Sequence, residues 1–184
     1  MRFFLSIFLL TFLVTISAQD TLLITQVDTK PQLRAEDIPV ADGAPDQERL
    51  FLIGIYSTVS YPSYARKYSV QAMVEITYLV DVNGVVSIDK TRTLSPEEVK
   101  NNDVPKKEMI TIIAYATRPV NGGSSIPVSS SWQTKNQKRL TKAYKVLEEA
   151  AAASILTLPD FVPGSHNGKS VIVRDSRFFV FQLK

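Results

Sequence analysis

The chain has no cysteine, one histidine and one tryptophan in 184 residues. Without cysteine there is no disulfide framework, no thiolate metal site and no thiol nucleophile, so burial has to carry stability. The sole histidine, His166, stands in a Ser-His-Asn-Gly turn with no Asp or Glu at ligand spacing, which argues against zinc. No Gly-x-Ser-x-Gly elbow supports a serine nucleophile. Gly122-Gly123-Ser124-Ser125 lacks the Gly-Lys-Ser/Thr ending of a phosphate loop. These absences leave the case for an enzyme weak, and neither cofactor nor metal is expected. Charge of one sign is also lacking. The formal net charge is +3, and the basic residues are scattered rather than striped, so nucleic acid is not the expected partner.

The long apolar run is at the start. Residues 1–18 carry one basic residue, Arg2, an apolar core, and the small-x-small ending Ile16-Ser17-Ala18, the pattern of a cleaved secretory signal peptide. The core is only about 14 residues long, where a membrane span needs roughly 20. Export is expected, with an uncleaved inner-membrane anchor as the alternative. Residues 19–48 are polar, acidic and broken by Pro31, Pro39 and Pro45. They read as a tether or loosely packed arm in which residues 22–24 have the character of a short strand.

Residues 49–184 form the folding unit. Residues 49–60 fit a helix or a strand by periodicity alone, and Pro62 suits the first turn of a short helix. Val74, Ile76, Tyr78 and Val80 alternate with more polar neighbours as a strand with one buried face. Asn83-Gly84 marks a hairpin. A two-residue loop would set Val80 opposite Ser87, whereas a three-residue loop with Gly84 at the left-handed position sets Val80 on Val86 and Tyr78 on Ile88. The second register keeps the apolar face intact and is expected.

Residues 95–132 read as an insertion. Residues 109–116 and 126–132 are extended in character around the turn at Asn121-Gly122-Gly123, which suggests an extra hairpin. Thr134-Lys135-Asn136-Gln137 has capping-box spacing. Behind it Leu140, Ala143, Tyr144, Leu147, Ala151, Ile155 and Leu158 recur at three- and four-residue steps, the clearest helix in the chain. Pro159 stops that helix, and the chain turns at Pro163-Gly164 and again at Asn167-Gly168 before a long alternating strand that runs to the C-terminus. The fold class is α+β: a small antiparallel sheet packed by a helix, with an inserted hairpin.

Several of these features in order resemble the C-terminal domain of the TonB family, of the Bacteroidetes type. They are Tyr61-Pro62 with Ala65, Asn83-Gly84, the helix over 140–158, Pro159-x-Phe161-x-Pro163-Gly164, Gly168-Lys169, Val171-x-Val173 and Phe181-x-Leu183. The likeness spans roughly residues 50–184. It departs from the family at Ser69-Val70-Gln71, at Phe178 where a Pro is expected, in the length of 95–132, and in the missing Pro-rich spacer. Together with the leader segment, the resemblance favours the periplasm as the destination. The resemblance implies capture of an extended peptide, the TonB box of an outer-membrane receptor, as an added strand on the last strand. Val171, Val173, Phe179, Phe181 and Leu183 are expected to face the core while the free edge offers its main chain. Arg174 and Arg177 interrupt the apolar run, as a partner contact or as a solvated edge. Val180 is the position where proline is expected to abolish peptide capture. Tyr61 and Pro62 form a candidate corner that also reads as a plain helix start. Self-pairing of the same edge into a homodimer is the competing reading.

Overall fold

The computed structural model describes residues 21–34, 46–95, 98–99, 109–116 and 130–184, with side chains described from 136 in the last stretch. Within them the chain is α+β. Its main sheet has five strands in the order β1 (Thr21–Leu23), β9 (Ile172–Leu183), β3 (Ala72–Val80) and β4 (Val86–Thr93), with β5 (Met109–Ala114) also pairing with β9.

The β3–β4 hairpin keeps the expected register, with Tyr78 on Ile88 and Val80 on Val86. Asp81 N–H closes the loop on the Val85 carbonyl at 3.0 Å, and Gly84 adopts φ +87° at its end. Gly84 is fixed by packing as well as by conformation. Its carbonyl accepts from Phe161 N–H at 2.9 Å, and a Cβ there would meet the Phe161 carbonyl oxygen at 1.8 Å.

Helix α1 (Gln47–Thr58) settles the ambiguity of residues 49–60. Asp46 caps it by accepting from Glu48 N–H at 3.3 Å, and Leu50, Phe51 and Ile55 form its buried face. Helix α2 (Ser63–Lys67) starts directly after Pro62. Helix α3 (Ser130–Leu156) buries Ala143, Leu147, Ala151 and Ile155 on one stripe. The small residues in that stripe let the helix come close to β3 and β4. Because α3 is already helical from Ser130, the Thr134-to-Gln137 spacing lies inside the helix and is not its start. For the same reason residues 130–132 are helical, not extended.

All three helices pack on one side of the sheet. Their apolar faces meet Val74, Ile76, Tyr78, Val80, Ile110, Phe179 and Phe181 in one core, and each fully buried side chain of this size contributes about 1.5–3 kcal/mol.

Three expectations change in the folded chain. The sheet is mixed, because β1 and β5 both run parallel to β9 while β3 and β4 are antiparallel. Residues 109–114 extend the main sheet as a strand parallel to β9, with Ile110 beside Phe179 and Ile112 beside Phe181. The segment 121–129 of the expected hairpin lies outside the described residues, as do residues 1–18. Within the supposed tether, residues 21–34 are docked. Thr21–Leu23 lies on β9, one residue ahead of the strand read from sequence, and β2 (Gln32–Leu33) pairs with β6 (Phe161–Val162).

The turn at Asn167-Gly168 closes β7 (Ser165–His166) on β8 (Lys169–Ser170), with φ of 51° and 71° at its two central residues. That is the two-residue turn whose twist matches a hairpin.

Candidate functional site

The last strand is central, not an edge. On one side β3 pairs with it from Val173 to Phe181 without a break. On the other, β1 covers Ile172, Val173 and Arg174, and β5 covers residues 178–183. The free edge expected along β9 is therefore largely taken by two distant segments of the same chain. Such long-range pairing leaves no local signature in the sequence. Between the two, residues 175–177 have no strand partner on that side among the described residues.

The main chain at this gap can be placed from its neighbours. The Arg174 carbonyl accepts from Ile24 N–H, and Lys184 exchanges bonds with Ala114 and Ala116. Alternation along the strand then turns the main chain of Ser176 to the same side. Its N–H is capped by its neighbour, Asp175 Oδ1, at 2.9 Å.

Asp175 and Arg177 are the polar break in the alternating run, and both side chains point inward. Each is about 14% exposed. Arg177 makes a bidentate pair with Glu48 of α1, both bonds at 3.0 Å, and its guanidinium lies 4.6 Å from the Phe51 ring centre. Its Nε lies 3.6 Å from Asp175 Oδ2, a charge contact too long for a hydrogen bond. Tyr78 donates to Asp175 Oδ2 at 2.8 Å.

Burial works against the Arg177 charge, yet Tyr78, Asp175 and Glu48 together hold its pKa above the ordinary arginine value. Burial first, then the Asp175 charge, push the Tyr78 phenol well above its usual range. This buried group pins the start of α1 to the middle of β9.

Beside it lies a cavity of about 260 Å³. Ile24, Pro31 and Leu33 of the N-terminal arm, Phe51 of α1, and Val80 and Val173 of the sheet give it apolar walls. Lys30, Glu48, Asp175 and Arg177 bring both signs of charge to its lining. Its lining takes in Asp175 and Arg177, from the part of β9 that lacks a flanking strand among the described residues.

The remaining candidate residues separate into two groups. Val173 joins the cavity, while Val171 precedes β9 and donates its N–H to the Gly164 carbonyl at 3.0 Å. Arg174 lies on the opposite face, its Nε 3.2 Å from Asp89. Phe179 and Phe181 are buried at the far half of β9, and Val180 is paired on both sides, with Met73 and Thr111. Proline at 180 would break the sheet itself, so it does not test peptide capture.

Tyr61 sits at that far end too. Its ring meets Phe181 edge to face at 5.5 Å, its hydroxyl donates to the Val70 carbonyl, and burial raises its pKa. Pro62 caps α2 without a side-chain bond. Both therefore serve the fold and do not join the gap.

Sequence reading missed Glu48, Asp175 and the arm residues of the cavity. The signal available for Asp175 was its place on the inward face of an otherwise alternating strand.

Among the described residues no group of three His, Asp or Glu side chains is placed to hold a metal, and no helix is long and apolar enough to cross a membrane. No protein-family model, curated protein or solved structure matches the chain.

Proposed function

We propose that the chain is a periplasmic, TonB-like protein-binding module without catalytic activity, which takes an extended segment of an envelope protein as an added strand. The observation that carries this reading is the second side of β9. It already holds two short parallel strands from elsewhere in the chain, and it leaves residues 175–177 unflanked beside a cavity. A segment lying there would bond main chain to main chain at Ser176, replacing the Asp175 Oδ1 cap on its N–H, and would reach Arg174 only where β1 and Ile24 give way, with one side chain entering the apolar part of the cavity.

The TonB box of an outer-membrane receptor is the partner suggested by the resemblance, and association with TonB-dependent transport follows from it. Titration of isotope-labelled protein with a TonB-box-like peptide should shift the amides of Ile172, Arg174 and Ser176 first. If no envelope-derived peptide moves these amides at millimolar concentration, strand addition at this edge is wrong.

A second reading, self-association of an envelope component, is favoured by the outer edge of β5. That strand carries no charge, Ile113 is 50% exposed, and Tyr115 just beyond it is 79% exposed. By contrast β4 at the opposite edge carries Asp89, Lys90 and Arg92 and a register shift, the usual protections of an edge. Sedimentation of wild type and Ile113→Lys separates the readings: a dimer lost in the variant supports self-pairing, and a monomer at high concentration removes it.

A further inference from the structure

Resting on that reading, we infer that β1 is a resident occupant of the acceptor edge, an internal strand that a partner segment must displace. Three observations support it.

The first is position. β1 lies parallel to β9 over Ile172, Val173 and Arg174, directly beside the unflanked residues, and Ile24 just beyond it lines the cavity. Any incoming segment long enough to pair with more than the gap meets β1.

The second is how lightly β1 is held. It is three residues long, Thr21 is exposed and Leu23 is 49% exposed. The entropy of ordering three residues nearly offsets the few net hydrogen bonds and the partial burial of Leu22 that they gain.

The third is the hinge. Behind β1 the arm is anchored independently: Asp28 and Thr29 N–H donate to the Ser165 carbonyl, Asp28 Oδ2 accepts from Asn167 N–H, and Leu33 N–H donates to Gln47. Between anchor and strand, residues 24–27 form a local turn in which Gln26 N–H donates to the Leu23 carbonyl. Lifting β1 thus leaves these anchors of the arm in place.

The occupant also states what the edge accepts: an extended, parallel segment in which a small polar residue is followed by branched apolar ones, as in Thr21-Leu22-Leu23-Ile24.

The experiment uses the full chain and a fluorescent peptide of its own residues 20–27 as the probe. Leu22→Pro removes a main-chain donor directed at β9, so the peptide should bind that variant about tenfold more tightly than wild type, since the competent state is more populated. Because the chain has no native cysteine, the double variant Leu23→Cys/Arg174→Cys can be clamped by oxidation across a paired position. The clamped form should lose peptide binding and regain it on reduction. Equal binding in the oxidised and reduced forms would overturn β1 as the occupant while leaving strand addition standing. Absence of binding in every form, including a Leu22→Pro protein whose residues 21–23 exchange amide hydrogens freely, would overturn the acceptor edge itself.

Discussion

The two halves of β9 are built on opposite principles. The half from 178 to 183 has β5 along its whole length on one side and β3 as far as Phe181 on the other, and it sends Phe179 and Phe181, 0% and 1% exposed, into the core. The half from 172 to 177 has β3 on one side and only a three-residue strand on the other, and it turns Asp175 and Arg177 toward the same interior. One half is stabilised by apolar area and by pairing on both sides as far as Phe181. The other is held by a small polar group beside a cavity, with part of its main chain lacking a strand. On the proposed reading, stability and binding are separated along a single strand, with the second half exchanging partners while the first keeps the sheet together.

The sharpest way to break this contrast is to remove the apolar anchor. Phe179→Ala should cost about 3–5 kcal/mol in denaturant unfolding, through lost burial and the cavity left behind. A loss below about 1 kcal/mol would mean that the far half is not the stabilising one.

Next comes Arg177→Ala, which strands Glu48 and Asp175 without their cation and should cost about 2–3 kcal/mol. Adding Glu48→Gln to that variant should recover part of the loss, and strict additivity in the double-mutant cycle would deny the coupling between α1 and β9.

Hydrogen exchange sharpens the contrast without mutation. The amides of Val180 and Gln182 should be protected at least about tenfold more than those of Arg174 and Ser176. Uniform protection along β9 would erase the distinction.

The smallest effect is alkaline. The Tyr78 phenol keeps its proton in the fold above the range where an unfolded tyrosine, with a pKa of about 10, loses it. Above about pH 10 the unfolded state therefore binds fewer protons than the native one, so stability is fully present below that pH and falls as pH rises. Tyr78→Phe should flatten the fall between about pH 9 and 11, leaving the share that belongs to Tyr61, whose pKa is also raised. A urea midpoint with the same alkaline slope in both proteins would show that Tyr78 is not held in its protonated form.

Much of this fold was legible residue by residue wherever the determining contacts are local or periodic. The Tyr78–Ile88 register followed from requiring one apolar face and a left-handed Gly84. The stripe Ala143, Leu147, Ala151, Ile155 followed from the helical repeat. The turn at Asn167-Gly168 followed from residues that tolerate positive φ. The site was less legible. Val173 and Arg177 were among the expected residues; Arg177, read as part of a bulge, a partner contact or a solvated edge, turns inward in the fold and pairs with Glu48. Glu48 lies 129 positions from the arginine it pairs with, a distance at which spacing carries no information.

The sequence by itself determined the α+β class, the hairpin, the long helix and the long last strand, because side-chain period and turn chemistry act over a few residues. Only the tertiary structure decided that the last strand is central. Strand neighbours are chosen by main-chain groups that every residue shares, so nothing in residues 21–23 or 109–114 announces that both will lie on β9. The partner of an edge is settled by which distant segment arrives, and among the described residues two segments of the chain arrived and left three residues between them.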